Sequence, residues 1–452
     1  MLSSRQIAFL TLRDVHNGAY VDVALDRILQ KFPLPDTDRR LVTELVYGCT
    51  RRQRTLDAIL NQIGKKNAQS QPKDLRTILH LGLYQLRYQQ KIPPSAAVNT
   101  TVELAKTNKF AGLTGVVNGI LRQYLRIQSA KDENIDSLIL PNTEASQLGI
   151  LHSFPDWIIE VWLEQFGYTE TAALSAWMNQ TPNLDLRINP LRTSRQAVET
   201  AFTNAGINFI PLANLDNGLR ITNYRAPIQT LPGFEQGWWT VQDASAQLVG
   251  YLLNPQPGEI IIDACAAPGG KTTQIAELMG DQGQIFAIDD TPSRINKLKQ
   301  NILRSQLQSI QVHTGDSRHL PQFYQTADRV LLDAPCSGLG TLHRHPDARW
   351  RQTPEKVQQL TQLQTELLNH TSTWVKPGGI LVYATCTLHK SENEHIIQSF
   401  LQLHPDWKIA PPPPNSPLHT YTTPPGWLKV LPHHHNMDGF FMVRLKKTND
   451  SP

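Results

Sequence analysis

The sequence predicts a multidomain protein: an all-α N-terminal domain, a small α+β middle module and a C-terminal α/β domain on a parallel sheet. Three observations predict it. Apolar residues recur at helical spacing through the first 130 residues. Short strands and helices mix over the next hundred. From about residue 240, continuous apolar strands alternate with helices, as in a sheet covered on both faces. The length of 452 residues suits about two to four domains.

The helical domain is expected over residues 1–130. Asp36-Thr37-Asp38 offers a cap for one helix over 39–60, where Leu41, Leu45, Leu56 and Leu60 recur. Asp74 is placed to cap a segment with Leu75, Ile78, Leu79, Leu83 and Leu86 on one face. Pro93-Pro94-Ser95 ends one helix and starts the next over 96–106. GLTGVVNGILRQYL, residues 112–125, reads as a glycine-punctuated buried helix.

Charge is uneven. Residues 1–130 hold 19 Lys/Arg and 9 Asp/Glu, a net of +10, whereas the remainder is at −6. A basic first domain points to nucleic acid there, most densely at Arg51, Arg52 and Arg54, which are the candidate RNA-binding residues. A solvated basic helix face is the rival reading.

Residues 131–150 read as a polar linker and 151–239 as the small α+β module, expected to bind RNA. A helix starts near Phe154-Pro155-Asp156-Trp157. Residues 184–189 alternate like a half-buried strand, a helix runs over 194–205, and strands follow near 208–211 and 218–221. Trp157, Trp162, Trp177, Trp238 and Trp239 could stack on bases, but their helical or strand spacing favours core positions.

The α/β domain is expected over 240–448. Strands read at 260–265, 284–289, 311–314, 329–333 and 380–385, and helices at 271–279, 292–305, 354–375 and 391–404. An antiparallel pair closes the sheet at 429–431 and 440–445. The Pro-rich stretch 410–426 reads as a surface loop. His433-His434-His435 lacks organised ligand spacing and reads as a surface turn, so no metal is expected.

The chemistry gathers around IIIDACAAPGGKT, residues 260–272: a buried strand, a tight turn and a helix start, where ligands of open α/β sheets bind. A phosphate-cradling P-loop needs glycine where Cys265 stands, and the GxGxxG dinucleotide fingerprint is absent. S-adenosylmethionine has no pyrophosphate, and it fits a turn followed by carboxylates. Asp289, at the second strand end, suits ribose hydroxyls. Asp316, after the third, suits an adenine amine. Either alone could be a helix cap or turn residue; three in order, with Asp333, carry more weight.

Cys336 follows the fourth strand, in DAPC, and Cys386 the fifth, in TCT. Adjacent parallel strands bring these ends together. Two thiols and a carboxylate beside a methyl donor suit methylation at cytosine C5. A thiolate adding to C6 makes C5 nucleophilic, Asp333 holds the base edge, and a second group helps to remove the C5 proton. One strand-end cysteine would be read as a small buried hydrophobe; a pair is read as chemistry. Spacing leaves open which of the two attacks. The other cysteines, Cys49 and Cys265, form no disulfide or zinc pattern, and a reducing cytoplasm is expected. No apolar run is long enough for a membrane span, and neither a membrane partner nor an oligomer beyond the monomer is expected.

DACAAPGGKT, DAPCSGLG, HRHPDARW and YATCT together resemble the NOL1/NOP2/Sun RNA cytosine-C5 methyltransferases. GVVNGILR at 115–122 resembles the NusB-like domain found in front of some RNA methyltransferases. With QDASAQL at 242–248, almost the whole chain is similar to the bacterial 16S ribosomal RNA methyltransferases of the RsmB/Sun type. The resemblance implies an all-α NusB-like domain, a Rossmann-like methyltransferase domain and S-adenosylmethionine as cofactor. It implies Cys386 as nucleophile, Cys336 in product release, and Asp333 as a third catalytic group. Cofactor contacts are implied at Cys265, Ala266, Ala267, Pro268, Gly269, Gly270, Lys271, Asp289, Asp316 and Asp333. The chain departs from the family's Pro-Glu-Glu-Asn with Lys390-Ser391-Glu392-Asn393. The rival readings are a transfer-RNA target and an RNA-binding assembly or antitermination factor with a vestigial methylase domain.

Overall fold

The apolar periodicity of the N-terminal part folds as expected into helices that share one core. In the computed structural model, which describes residues 2–129, 138–224 and 226–449, the chain forms two compact units. Unit 1 is Met1–Gln180 with Leu342–Arg351; unit 2 is Thr181–Thr341 with Gln352–Pro452.

Unit 1 contains α1 (Ser4–His16), α2 (Val21–Lys31), α3 (Asp36–Arg51), α4 (Gln53–Ile63), α5 (Lys73–Tyr88), α6 (Pro94–Thr107), α7 (Thr114–Ser129), α8 (Glu144–His152) and α9 (Asp156–Trp177). Phe9, Leu12, Leu45, Val46, Leu79, Leu83 and Leu121 meet in its core. The single helix expected over 39–60 is broken at Arg52, whose φ of −102° and ψ of 14° are not helical. Gly48 lets α5 come close: a Cβ there would lie 2.0 Å from the Tyr84 ring. Asp74 sits in the first turn of α5, with Pro72 at the cap position. The helix over 112–125 buries one face only, through Val117, Ile120, Leu121 and Tyr124.

Of the expected linker, residues 131–137 lie outside the described residues. The rest of it is largely helical, because Thr143 caps α8 through a bond to the Ser146 amide. Both α8 and α9 pack with unit 1, so the boundary expected at 150/151 is not a packing boundary. Thr55 Oγ1 donates to Ile150 O, and Ser153 Oγ accepts from the Arg54 amide. Trp162 and Trp177 are buried there, in core positions that leave no ring face for a base. The segment Leu342–Arg351, carrying α14 (Ala348–Arg351), is also part of this unit. Arg349 explains why. Fully buried, it donates to the carbonyls of Arg51, Ser153, Met178 and Leu342, and lies 3.9 Å from the centre of the Phe154 ring. Carbonyls and a ring face suit a guanidinium, which has five donors and a flat apolar face.

Unit 2 begins with β1 (Leu184–Ile188), α10 (Arg195–Asn204), β2 (Phe209–Pro211), β3 (Gly218–Ile221) and β4 (Trp239–Val241), an antiparallel sheet in the order β2-β3-β1-β4. Leu186, Ile188, Phe202 and Trp239 form its core. The alternation in β1 suggested one wet face, but Asp185 and Arg187 are also buried. Each is neutralised by an ion pair, Asp185 with Arg220 at 2.7 Å and Arg187 with Glu277 at 2.7 Å.

The larger sheet follows: α11 (Ala244–Leu253), β5 (Ile260–Asp263), α12 (Gly270–Leu278), β6 (Gln284–Asp289), α13 (Pro292–Ser305), β7 (Ile310–Thr314), β8 (Ala327–Asp333), α15 (Pro354–Ser372), β9 (Val375–Thr385), α16 (Glu394–Leu403), β10 (Trp407–Ile409), β11 (Leu428–Val430), α17 (Pro432–His435) and β12 (Phe440–Lys447). Its order is β10-β12-β9-β8-β5-β6-β7, with β11 on β12. Strands β5 to β9 are parallel, and β12 runs antiparallel to β9. Apolar clusters cover both faces, which is why the strands read as continuous apolar runs. The Pro-rich stretch is more than a surface loop, since Leu418 and Tyr421 are buried in one of these clusters. The parallel strands end together at Asp263, Asp289, Asp333 and Thr385, the edge where open α/β sheets place their ligands.

Candidate active site

The turn after β5 is shaped by one glycine. Gly269 adopts φ +103°, a conformation that costs other residues, and a Cβ there would meet Leu298 Cδ1 at 2.5 Å. Its amide donates to Ala266 O at 2.8 Å, closing the turn before α12. The Ala267–Pro268 peptide is cis.

Arg187 holds the start of α12 from below. All five of its N–H groups are used: two go to Glu277, and the others to Gln242 Oε1, Gly270 O (2.7 Å) and Thr273 Oγ1 (2.9 Å). Neither Arg187 nor Glu277 stood out in the sequence. A polar residue in an alternating strand and another on a helix look solvent-facing, and they are 90 positions apart.

Asp289 reaches back over the turn. Its Oδ2 accepts from the Ala267 amide at 3.1 Å and pairs with Arg294 Nη1 at 3.4 Å, and its Oδ1 accepts from the Thr291 amide at 3.0 Å, which leaves a lone pair on Oδ1. Asp316 is placed differently from the expectation of an open acceptor. Arg318 occupies both its oxygens, through its amide at 2.9 Å and its guanidinium at 2.7 Å, and these bonds hold the carboxyl below its ordinary range. An adenine amine would have to compete with Arg318 for the four acceptor positions of the carboxylate.

A cavity of about 310 Å³ lies along this edge, lined by Cys265, Asp289, Asp316, Asp333, Cys336 and Cys386 among others. The residues that the sequence singled out on five strand ends are therefore brought to one space. Cys336 Sγ and Cys386 Sγ are 3.4 Å apart. That contact, and then burial, push the Cys336 thiol well up from its ordinary value. Burial and the neighbouring aspartates do the same to Cys265, which suits a turn residue better than a nucleophile.

Lys271 has a place that the sequence reading missed. Read there as part of the cofactor turn, it forms a 2.7 Å ion pair with Asp333 Oδ2, and its ammonium lies 5.1 Å from the centre of the Phe440 ring. Burial pulls its pKa down, but Asp333 and its other neighbours outweigh that and raise it. Lys271 is thus a fixed cation beside the cysteine pair.

Asp263, buried under the turn, accepts from Thr272 Oγ1 at 2.7 Å, and burial pushes its pKa up to about 7. The folded chain therefore holds a proton between about pH 4 and 7 that the unfolded chain has lost, and stability falls as pH rises through that window. Asp263→Asn keeps the neutral shape. It is expected to be more stable than the parent at pH 8, by on the order of a few kcal/mol, and to lose that advantage by pH 4. Urea unfolding at both pH values measures this; a difference independent of pH contradicts a neutral Asp263.

The basic cluster in unit 1 is used mostly inside that unit. Arg51 is only 9% exposed and donates to His343 O at 3.0 Å. Arg54 pairs with Asp156 at 2.7 Å. Arg52 is half-buried over the Tyr88 ring, 4.9 Å from its centre. The expected phosphate contacts do not fit Arg51 or Arg54, because density of charge in sequence does not reveal burial. No helix among the described residues is long and apolar enough to cross a membrane.

The chain is similar to known proteins along its length. Residues 250–446 match the family described as 16S rRNA methyltransferase RsmB/F, residues 2–126 match the NusB family, and residues 154–228 match the RsmF/B-like ferredoxin-like domain. The chain is 52% identical to the probable ribosomal RNA small subunit methyltransferase B of Synechocystis sp., over 99% of this chain and 100% of that one. It is 36% identical to ribosomal RNA small subunit methyltransferase B of Photorhabdus laumondii, over 95% of each. Among solved structures it is similar to PH0851, with a TM-score of 0.81 and 26% identity over 99% of each chain.

Proposed function

Because the chain belongs to the RsmB/F family of 16S rRNA methyltransferases, whose cofactor is S-adenosylmethionine, we propose that it methylates C5 of a cytosine in 16S ribosomal RNA through a covalent bond between Cys386 and C6. The observation that carries this reading is the pair of thiols 3.4 Å apart in a cavity that also holds Asp333 and extends to Asp289.

The residues present suit the cofactor. The start of the turn, Ala264 and Cys265, opens onto the cavity, and Asp289 Oδ1 retains acceptor capacity for a hydroxyl. When bound, S-adenosylmethionine supplies the electrophilic methyl group. The target base must leave its stack to reach the cavity. The Cys386 thiolate then adds to C6, and the electron pair of the C5–C6 double bond is shared between C5 and N3. Asp333 accepts from the exocyclic amine of the base edge, and the Lys271 ammonium, fixed by Asp333, offsets the negative charge developing at N3. After methylation C5 carries both a proton and the methyl group. Cys336 accepts that proton as its own thiol proton passes to Cys386 Sγ, 3.4 Å away, the C5–C6 double bond re-forms, and Cys386 leaves as the thiol. The basic unit 1 anchors the RNA through phosphates, with Arg52, half-buried over the Tyr88 ring, as the proposed contact.

Gly340 ties this chemistry to the backbone. Its amide donates to Cys386 O at 2.9 Å, and a Cβ there would lie 2.0 Å from Gly439 O and 2.8 Å from Cys386 O, both backbone atoms. Gly340→Ala must therefore move the Cys386 segment. Turnover is expected to fall about 10²-fold with cofactor affinity retained; parent-like turnover would mean that this backbone is not held to a tight position.

The proposal is tested by incubating the chain with methyl-labelled S-adenosylmethionine and unmodified 16S ribosomal RNA, followed by nucleoside analysis. Label in 5-methylcytosine supports it. Tight RNA binding without transfer favours an assembly factor, and transfer to transfer RNA alone moves the substrate.

A further inference from the structure

Resting on the roles just proposed for Cys386 and Cys336, we infer that Glu392 is a positioning residue that clamps the two cysteine-bearing segments to each other. It lies between β9 and α16, is fully buried and does not line the cavity. Its Oε1 accepts from the Ser337 amide at 2.8 Å and from Gln364 Nε2 at 3.0 Å. Its Oε2 accepts from Ser337 Oγ and, at 3.2 Å, from Thr387 Oγ1. Ser337 follows Cys336 and Thr387 follows Cys386, so a single carboxylate grips the residue after each cysteine. The two hydroxyl oxygens lie 2.8 Å apart, drawn together by the one carboxylate oxygen to which both donate.

The neighbouring bonds lock the same two segments. Gln364 Nε2 also donates to Pro335 O at 2.7 Å, so both flanks of Cys336 are held. Asn393 accepts from Thr385 Oγ1 at 2.6 Å and donates to Thr387 O at 3.0 Å, bracketing Cys386. Tyr383 Oη donates to Glu392 O at 2.6 Å, which fixes the backbone of Glu392 to β9. Burial raises the pKa of the carboxyl, yet all of these partners are short polar groups without a counter-charge. The arrangement places geometry above charge: four hydrogen bonds converge on a group that reaches neither base nor cofactor. Its consequence is the short Sγ–Sγ distance, which lets one thiol bond C6 while the other stands at C5 of the same base.

A clamp and a merely structural residue differ in what they disturb. Glu392→Ala in the full chain is expected to lower kcat about 10²-fold, because a misplacement on the order of 1 Å costs about that much. The KM for 16S ribosomal RNA and the affinity for S-adenosylmethionine should stay near parent values. Glu392→Gln keeps the acceptor at Oε1, and its amide can donate to the two hydroxyls; it should restore kcat to within about fivefold. Thr387→Val keeps the volume and removes one tie, and is expected to show the same loss in kcat alone. It carries the test if Glu392→Ala does not fold. Parent-like kcat in both Glu392→Ala and Thr387→Val overturns the clamp, as does a fall in kcat matched by an equal loss of cofactor affinity. Turnover of the parent and trapping of RNA by Cys336→Ala are measured alongside. If those two fail, the cysteine chemistry is wrong; if they succeed, the Glu392 series judges the clamp alone.

Discussion

Cys386→Ala is expected to abolish methyl transfer, and Cys336→Ala to leave attack intact but stall release, so that RNA stays covalently attached. The asymmetry follows from the proposed roles. Without Cys386 nothing adds to C6, and C5 is too weak a nucleophile; the expected loss is on the order of 10⁴-fold or more. Without Cys336 the bond from Cys386 still forms, but the C5 proton has no nearby acceptor and elimination slows. The 3.4 Å separation of the two thiols makes this division possible. Denaturing gels of protein mixed with labelled RNA read the outcome directly: free protein for Cys386→Ala, a shifted band for Cys336→Ala. Equal loss without an adduct in either variant would contradict the assignment.

Arg187→Met carries the largest expected effect on stability. Arg187 and Glu277 are almost fully buried, with side chains 2% and 3% exposed. Removing the guanidinium leaves Glu277 without its counter-charge, at a cost of about 3–5 kcal/mol. It also frees Gly270 O and Thr273 Oγ1 at the first turn of α12, so affinity for S-adenosylmethionine should weaken as well. The double variant Arg187→Met with Glu277→Leu separates the two effects. It should recover most of the stability, because an apolar pair can replace a buried ion pair at little cost. Cofactor affinity should stay weak, because the tie to Gly270 is still missing. Urea unfolding and cofactor titration give both numbers. A loss below about 1 kcal/mol in Arg187→Met would mean that the pair is solvated in solution.

The parts of the fold that bury apolar residues were legible in sequence, and the parts that bury polar ones were not. Strands β5, β6, β8 and β9 announced themselves as apolar runs ending at or beside an Asp or Cys, and parallel pairing then required those ends to share an edge. Asp289, Asp333, Cys336 and Cys386 duly line one cavity. Asp316 also reached the cavity, but the engagement of its carboxylate by Arg318, two residues on, was invisible because spacing does not show where a guanidinium turns. Arg51 and Arg349 read as surface charge and a motif residue, yet both are buried in unit 1 among carbonyls. Glu392 appeared only as part of a departure from the family's usual sequence, and its bonds to Ser337 and Thr387 emerge once three separated segments meet. Breaks such as that at Arg52 depend on local backbone angles, which apolar periodicity does not report.

The most direct test of the central claim is to locate the protein–RNA bond. Cys336→Ala is incubated with S-adenosylmethionine and unmodified 16S ribosomal RNA, digested with nuclease and protease, and the adduct is sequenced by mass spectrometry. The account predicts a methylated cytidine nucleotide on the peptide containing Cys386. A nucleotide on any other residue, or a methylated base released with no adduct at any time, would contradict it.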